Sequence, residues 1–109
     1  MAVYLGSGDK MRNWKPDKET MQKGMNAWSK WATDNRGKIA QDGSPLGKTK
    51  RVDKNGISEA SNEMGAWTIV EAENHDEAAK LFLNHPHFTV FPGERVEIME
   101  CLPLPKMPE

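Results

Sequence analysis

Apolar residues change their spacing several times along this chain, and each change predicts an element. Residues 2–5, Ala-Val-Tyr-Leu, form a short apolar run closed by Gly6-Ser-Gly8, the composition of a brief strand. Residues 9–15 are polar apart from Met11 and Trp14 and predict a loop or one loose turn. Beyond Pro16-Asp17 the period lengthens. Met21, Met25, Trp28 and Ala32 recur at four, three and four residues, a core-facing helical stripe joined by Gly24 and Trp31. Pro16 suits a first helical turn, Asp17 caps it or offsets its dipole, and Gly37 after Asn35-Arg36 supplies a left-handed end.

Residues 38–42 read as a second strand and 43–47 as a turn-rich loop. Residues 48–52 and 57–60 flank Asp53-Lys-Asn-Gly56, a hairpin signal because Asn-Gly tolerates the positive φ of tight turns. In residues 65–72, Trp67, Ile69 and Val70 leave both strand faces apolar, as in an interior strand covered on two sides. Asn74 with Glu77 three residues on marks a helix start over 74–83, with Ala78, Leu81 and Phe82 on one side. Pro86 stops that helix, residues 85–93 form a loop, and Pro92-Gly93 turns into a last strand over 94–101. There Val96 and Ile98 face one way and Met99 and Cys101 the other. Three prolines make 102–109 an extended tail on a single domain of 109 residues.

The order strand, helix, strand, hairpin insert, strand, helix, strand predicts an α+β chain on the ferredoxin-like βαββαβ plan. Right-handed crossovers place both helices on one face of an antiparallel sheet. The other face, with Tyr4, Val70 and Met99 as its expected apolar residues, then lacks cover, and a second subunit is the economical lid.

Composition narrows the partners. Net charge is −1 and the basic residues are scattered, with Lys48, Lys50 and Arg51 the one local cluster, so nucleic acid is not an expected partner. No apolar run reaches membrane-spanning length, and residues 2–5 are too few for a signal-peptide core, so the expected setting is the cytoplasm with no membrane partner. Cys101 is the single cysteine and is expected to be a small buried strand residue, slow to react in a reducing compartment. Seven Met and four Trp exceed what a minimal core needs and suit an adaptable pocket.

Candidate chemistry centres on His85 and His87, which flank Pro86. An imidazole acts as a general base at neutral pH; as a His-x-His pair they could share a metal, but no carboxylate at ligand spacing completes the set, and neither metal nor cofactor is expected. The competing reading makes His85 a polar helix end. Asp42 ends a strand and either turns into the same cleft or, as Asp-Gly, forms an ordinary turn. Trp28 and Trp31 wall a pocket between the first helix and the sheet or pack as core, and Arg95 attracts an anionic ligand or is an exposed edge charge. His75 follows a helix cap and is expected at the surface.

Met25-Asn-Ala-Trp28-Ser-Lys-Trp31, Gly37-Lys-Ile39, Asp42-Gly43, Gly65-Ala-Trp-Thr-Ile-Val70, Asp76-Glu-Ala78, His85-Pro-His87 and Val96-Glu-Ile98 occur in an order and spacing that resemble the YCII-related proteins across nearly the whole chain. The resemblance implies ferredoxin-like subunits paired sheet to sheet as a dimeric α/β barrel. Some YCII-related members are small-molecule enzymes, including a dehydrochlorinase, that use a His on helix 1 and an Asp before the Pro after helix 2. Here Met25 or Asn26 stands at the first place and His85 at the second. The branch with Asp-Gly-Pro-Phe after the hairpin is not matched either, since Ser58-Glu-Ala-Ser61 stands there.

Two functions follow. One is binding or transformation of a small organic molecule between helix 1 and the sheet, with His87, His85 and Asp42 carrying chemistry and Trp28, Trp31, Asn26 and Arg95 binding. The other is a non-catalytic homodimeric interaction module. Convergence of the polar groups on one concave site separates them.

Overall fold

A computed structural model describes residues 1–7, 10 and 13–105. The expected loop positions 8, 9, 11 and 12 and the tail from 106 lie outside the described residues. The fold is α+β. Its strands are β1 (Ala2–Leu5), β2 (Ile39–Gln41), β3 (Thr49–Asp53), β4 (Gly56–Ala60), β5 (Met64–Val70) and β6 (Arg95–Ile98). The α-helices among the described residues are α1 (Lys18–Asp34), α2 (His75–Lys80) and α3 (Pro86–Thr89), with a 3₁₀ turn at Arg36–Lys38.

Four strands form one sheet in the order β2-β5-β1-β6, every neighbouring pair antiparallel. β5 and β6 therefore run parallel to each other across β1, joined through α2 and α3. The central place of β1 accounts for the burial of all four of its residues. Ala2 sits between Thr68 and Ile98, Val3 between Trp67 and Glu97, and Tyr4 between Ala66 and Val96.

Tyr4 was expected on the uncovered face, and the structure reverses this. Its ring lies 5.0 Å from Trp28 and 6.0 Å from Phe82, beneath the helices, and Val70 packs against the same cluster. Strand alternation then sends Val3, Trp67 and Ile69 to the opposite face. Met99, the third residue expected there, lies beyond the end of β6.

Asp17 caps α1 by accepting the Thr20 N–H at 2.7 Å, a bond that holds its carboxyl below the usual range. At the other end Asn35 is the cap, donating its side-chain amide to the Trp31 carbonyl at 2.8 Å. Gly37 is not the left-handed cap; it lies in the 3₁₀ turn. The core stripe is also rotated. Gly24 is buried and Trp28 and Trp31 are half-buried, whereas Met21 and Met25 are 40% and 58% exposed. A Cβ at Gly24 would stand 2.7 Å from the Phe91 ring, so the helix approaches the chain where it has no side chain.

The hairpin forms as the sequence predicts, with Gly56 at φ +112° and Asp53 accepting the Asn55 N–H at 2.8 Å. It is a separate two-stranded sheet. The radius of gyration is 16.3 Å. A compact chain of this length would have a radius of about 13 Å; with its residues exposed except Thr49 and Ala60, the hairpin stands off the four-stranded sheet as an arm.

Cys101 is exposed, not buried, because β6 ends three residues before it; its sulfur accepts from the Met1 ammonium at 3.4 Å. Thiol reagents are therefore expected to label the native protein within about tenfold of the rate seen in denaturant. Labelling that waits for unfolding would contradict this placement.

Candidate functional site

The His85-Pro86-His87 corner is built by local backbone chemistry. Asn84 adopts φ +58°, which asparagine tolerates, and reverses the chain after α2. His85 is extended, as a residue before proline prefers, and Pro86 opens α3 where its missing N–H costs nothing. The corner is thus a helix start as well as a helix stop. The His85 side chain caps α3, its Nδ1 accepting the His87 N–H at 3.0 Å. That bond places the ring proton on Nε2.

His85 is fully buried, and its Nε2 has no hydrogen-bond partner. Aromatic rings surround the imidazole. Trp28 stands perpendicular to the imidazole at 4.6 Å, Trp31 lies at 4.6 Å, Tyr4 at 5.0 Å and Phe82 at 5.7 Å. Enclosed by these rings, a charged imidazolium would be cut off from water. Burial first, and His87 second, depress the His85 pKa to about 3.

His87 is also buried, and its Nε2 donates to the Leu5 carbonyl at 2.9 Å, fastening α3 to the end of β1. Gly93 lies against this ring and donates its N–H to the His87 carbonyl at 2.9 Å. Tyr4 completes the cluster from below. Thr68 donates to the Asp42 carbonyl at 3.2 Å, so its oxygen receives the Tyr4 hydroxyl at 3.0 Å. Burial pushes the Tyr4 pKa up to about 12. The Trp31 indole donates to the Leu81 carbonyl at 2.7 Å.

The structure therefore gathers His85, His87, Trp28 and Trp31 and leaves the other nominated residues outside. The Asp42 carboxylate faces Arg36 at 3.3 Å on the surface. Asn26 is exposed and accepts from Gln22 at 2.8 Å. Arg95 is held by Glu97 at 2.7 Å and Glu63 at 2.8 Å, which raise its pKa, with Glu94 at 3.5 Å. Tyr4, Thr68 and Phe82 join the cluster without having been singled out as site residues; only the placement of the one tyrosine inside an apolar strand hinted at it. Rings fill the space between α1 and the sheet.

Open space lies elsewhere. A cleft of about 720 Å³ at the end of the sheet has Ile69, Val70, Ala78 and Ile98 in its walls and His75 and Cys101 beside them. His75 donates Nε2–H to the Ile98 carbonyl at 2.8 Å, leaving Nδ1 3.5 Å from Glu100. A neighbouring recess of about 560 Å³ shares Glu71 and Ala72 with it and adds Glu73 and Glu77. Among the described residues, no three His, Cys, Asp or Glu side chains are grouped to hold a metal, and no helix is long and apolar enough to cross a membrane. No family model, curated protein or solved structure matches the chain.

Proposed function

We propose that the chain is a ferredoxin-like subunit of the YCII-related kind that works as a cytoplasmic homodimer, and that its role is association rather than catalysis. One observation carries this reading: the polar groups nominated for chemistry are bonded within the subunit and do not converge on open space. Catalysis needs such convergence. The strand order β2-β5-β1-β6 supports the ferredoxin-like plan, and the half-buried Trp67 and Ile69 opposite the helices support a sheet-to-sheet partner. An exposed lone thiol suits a reducing compartment. The wild type is expected to sediment as a dimer at micromolar concentration, and Ile69→Asp, folded by circular dichroism, as a monomer, because a charge buried without a partner opposes association. A monomeric wild type rejects the proposal.

The 720 Å³ cleft favours a second reading, a small-molecule binding protein, since it is of ligand-pocket size and its walls are largely apolar. Ala78→Phe would fill it. A metabolite that raises the melting temperature of the wild type but not of Ala78→Phe would establish this reading.

A further inference from the structure

We propose that the β3–β4 hairpin is an exchange arm: in the dimer, each subunit's hairpin tip seats in the cleft at the far end of its partner's β5. The inference rests on the homodimer reading and specifies what the second copy supplies.

The arm is bare. It hydrogen-bonds to itself as a separate sheet, and its register partners Val52 and Ile57 are 74% and 75% exposed. Two-stranded ribbons are marginal alone, and a bare apolar pair on a projecting one marks a surface that is covered by something. Charge identifies the cover. Residues 48–60 carry Lys48, Lys50, Arg51 and Lys54 against Asp53 and Glu59, a net charge of +2 by four minus two. Lys50 is bonded to Glu59, and Lys48, Arg51 and Lys54 have no ion-pair partner among the described residues. The complementary sites are on the same chain at the other end of β5. Glu71 and Glu73 also lack an ion-pair partner among the described residues; Glu71 lines the cleft walled by Ile69, Val70 and Ile98, and Glu73 lines the recess that adjoins it. An apolar tip flanked by lysine and arginine matches an apolar cleft flanked by glutamates.

Topology makes the match reciprocal. β4 leads into β5 at Met64, and β5 ends at Val70, so arm and cleft lie at opposite ends of one strand, about 20 Å apart. A two-fold axis perpendicular to the strands reverses β5 and brings each arm to the other subunit's cleft. Both contacts form together, and the assembly closes as a dimer without polymerising.

The test is sedimentation equilibrium on the full chain with two charge reversals at exposed positions, Arg51→Glu/Lys54→Glu and Glu71→Lys/Glu73→Lys, and with both combined. Each reversal alone is expected to weaken the dimer about tenfold, and the combined variant to recover within about threefold of wild type. Single reversals that leave the wild-type affinity unchanged, or a combined variant no better than either, overturn the arm while leaving the dimer intact. A monomeric wild type overturns both. A small molecule that fills the cleft without weakening the dimer also overturns the arm.

Discussion

Acidifying the protein from pH 7 to pH 4 is expected to remove about 3 kcal/mol of folding stability through His85 alone. The imidazole has a pKa of about 3 in the fold against an ordinary 6.5 in the unfolded chain. Below 6.5 the unfolded chain takes up a proton that the folded chain refuses. The contribution is therefore complete above pH 6.5 and is lost as pH falls towards 3. Over the whole window it amounts to roughly 4–5 kcal/mol, a large part of a small domain's stability. Urea unfolding at several pH values on wild type and His85→Phe reads the effect. The variant lacks the Nδ1 acceptor of the α3 cap and begins less stable at pH 7, but its pH dependence is shallower. Parallel dependence in the two proteins would mean that His85 takes up its proton equally in both states.

The same geometry occupies the acceptor nitrogen of His85. Protonating Nδ1 of His85 would turn an acceptor into a donor facing the His87 N–H, breaking the cap and disturbing the α3 contact to Leu5 and Gly93. A base whose lone pair is spent on the backbone has no substrate proton within reach. In this corner the two imidazoles hold α3 onto β1.

The strands were legible because their signals are local. Residues 2–5 form β1 with the bounds the apolar run predicted, and Asp53-Lys-Asn-Gly56 turns the hairpin. What was not legible depends on distant neighbours. Four consecutive apolar residues carry no alternation, so the facing of Tyr4 was undetermined until Trp28, Phe82 and His85 fixed it. Gly24 adds nothing to a hydrophobic stripe, yet its missing side chain admits Phe91 and rotates α1 away from Met21 and Met25. α3 was missed because histidine is not a common N-cap and Pro86 was read only as a stop. Of the candidate site, the tryptophans and histidines could be named from spacing. Their link through Tyr4 and Thr68 to the Asp42 carbonyl needed the register of β1 on β5.

Gly43→Ala is expected to destabilise the protein by about 3 kcal/mol or more. Gly43 stands at φ +74°, where an L side chain is strained, and a Cβ there would fall on the Trp67 carbonyl, within 2.6 Å of its carbon and closer still to its oxygen. The obstacle is backbone, so no side-chain rotation relieves it. Residues 43–46 would have to lift from β5, losing the Trp67 N–H bond to the Ser44 carbonyl at 3.3 Å and the Leu46 N–H bond to the Gly65 carbonyl at 2.8 Å. Two such bonds at about 1 kcal/mol each, added to about 1–2 kcal/mol of left-handed strain, give the expected total. Gly47→Ala is the control, because a Cβ there meets nothing within 4 Å and its φ is not positive. Urea unfolding should separate the two variants, with Gly47→Ala within about 0.5 kcal/mol of wild type. Equal stabilities would mean that the segment leading into the arm is not held against β5. Should the arm carry the dimer, Gly43→Ala also weakens association, because residues 43–46 set the direction in which the hairpin leaves the sheet.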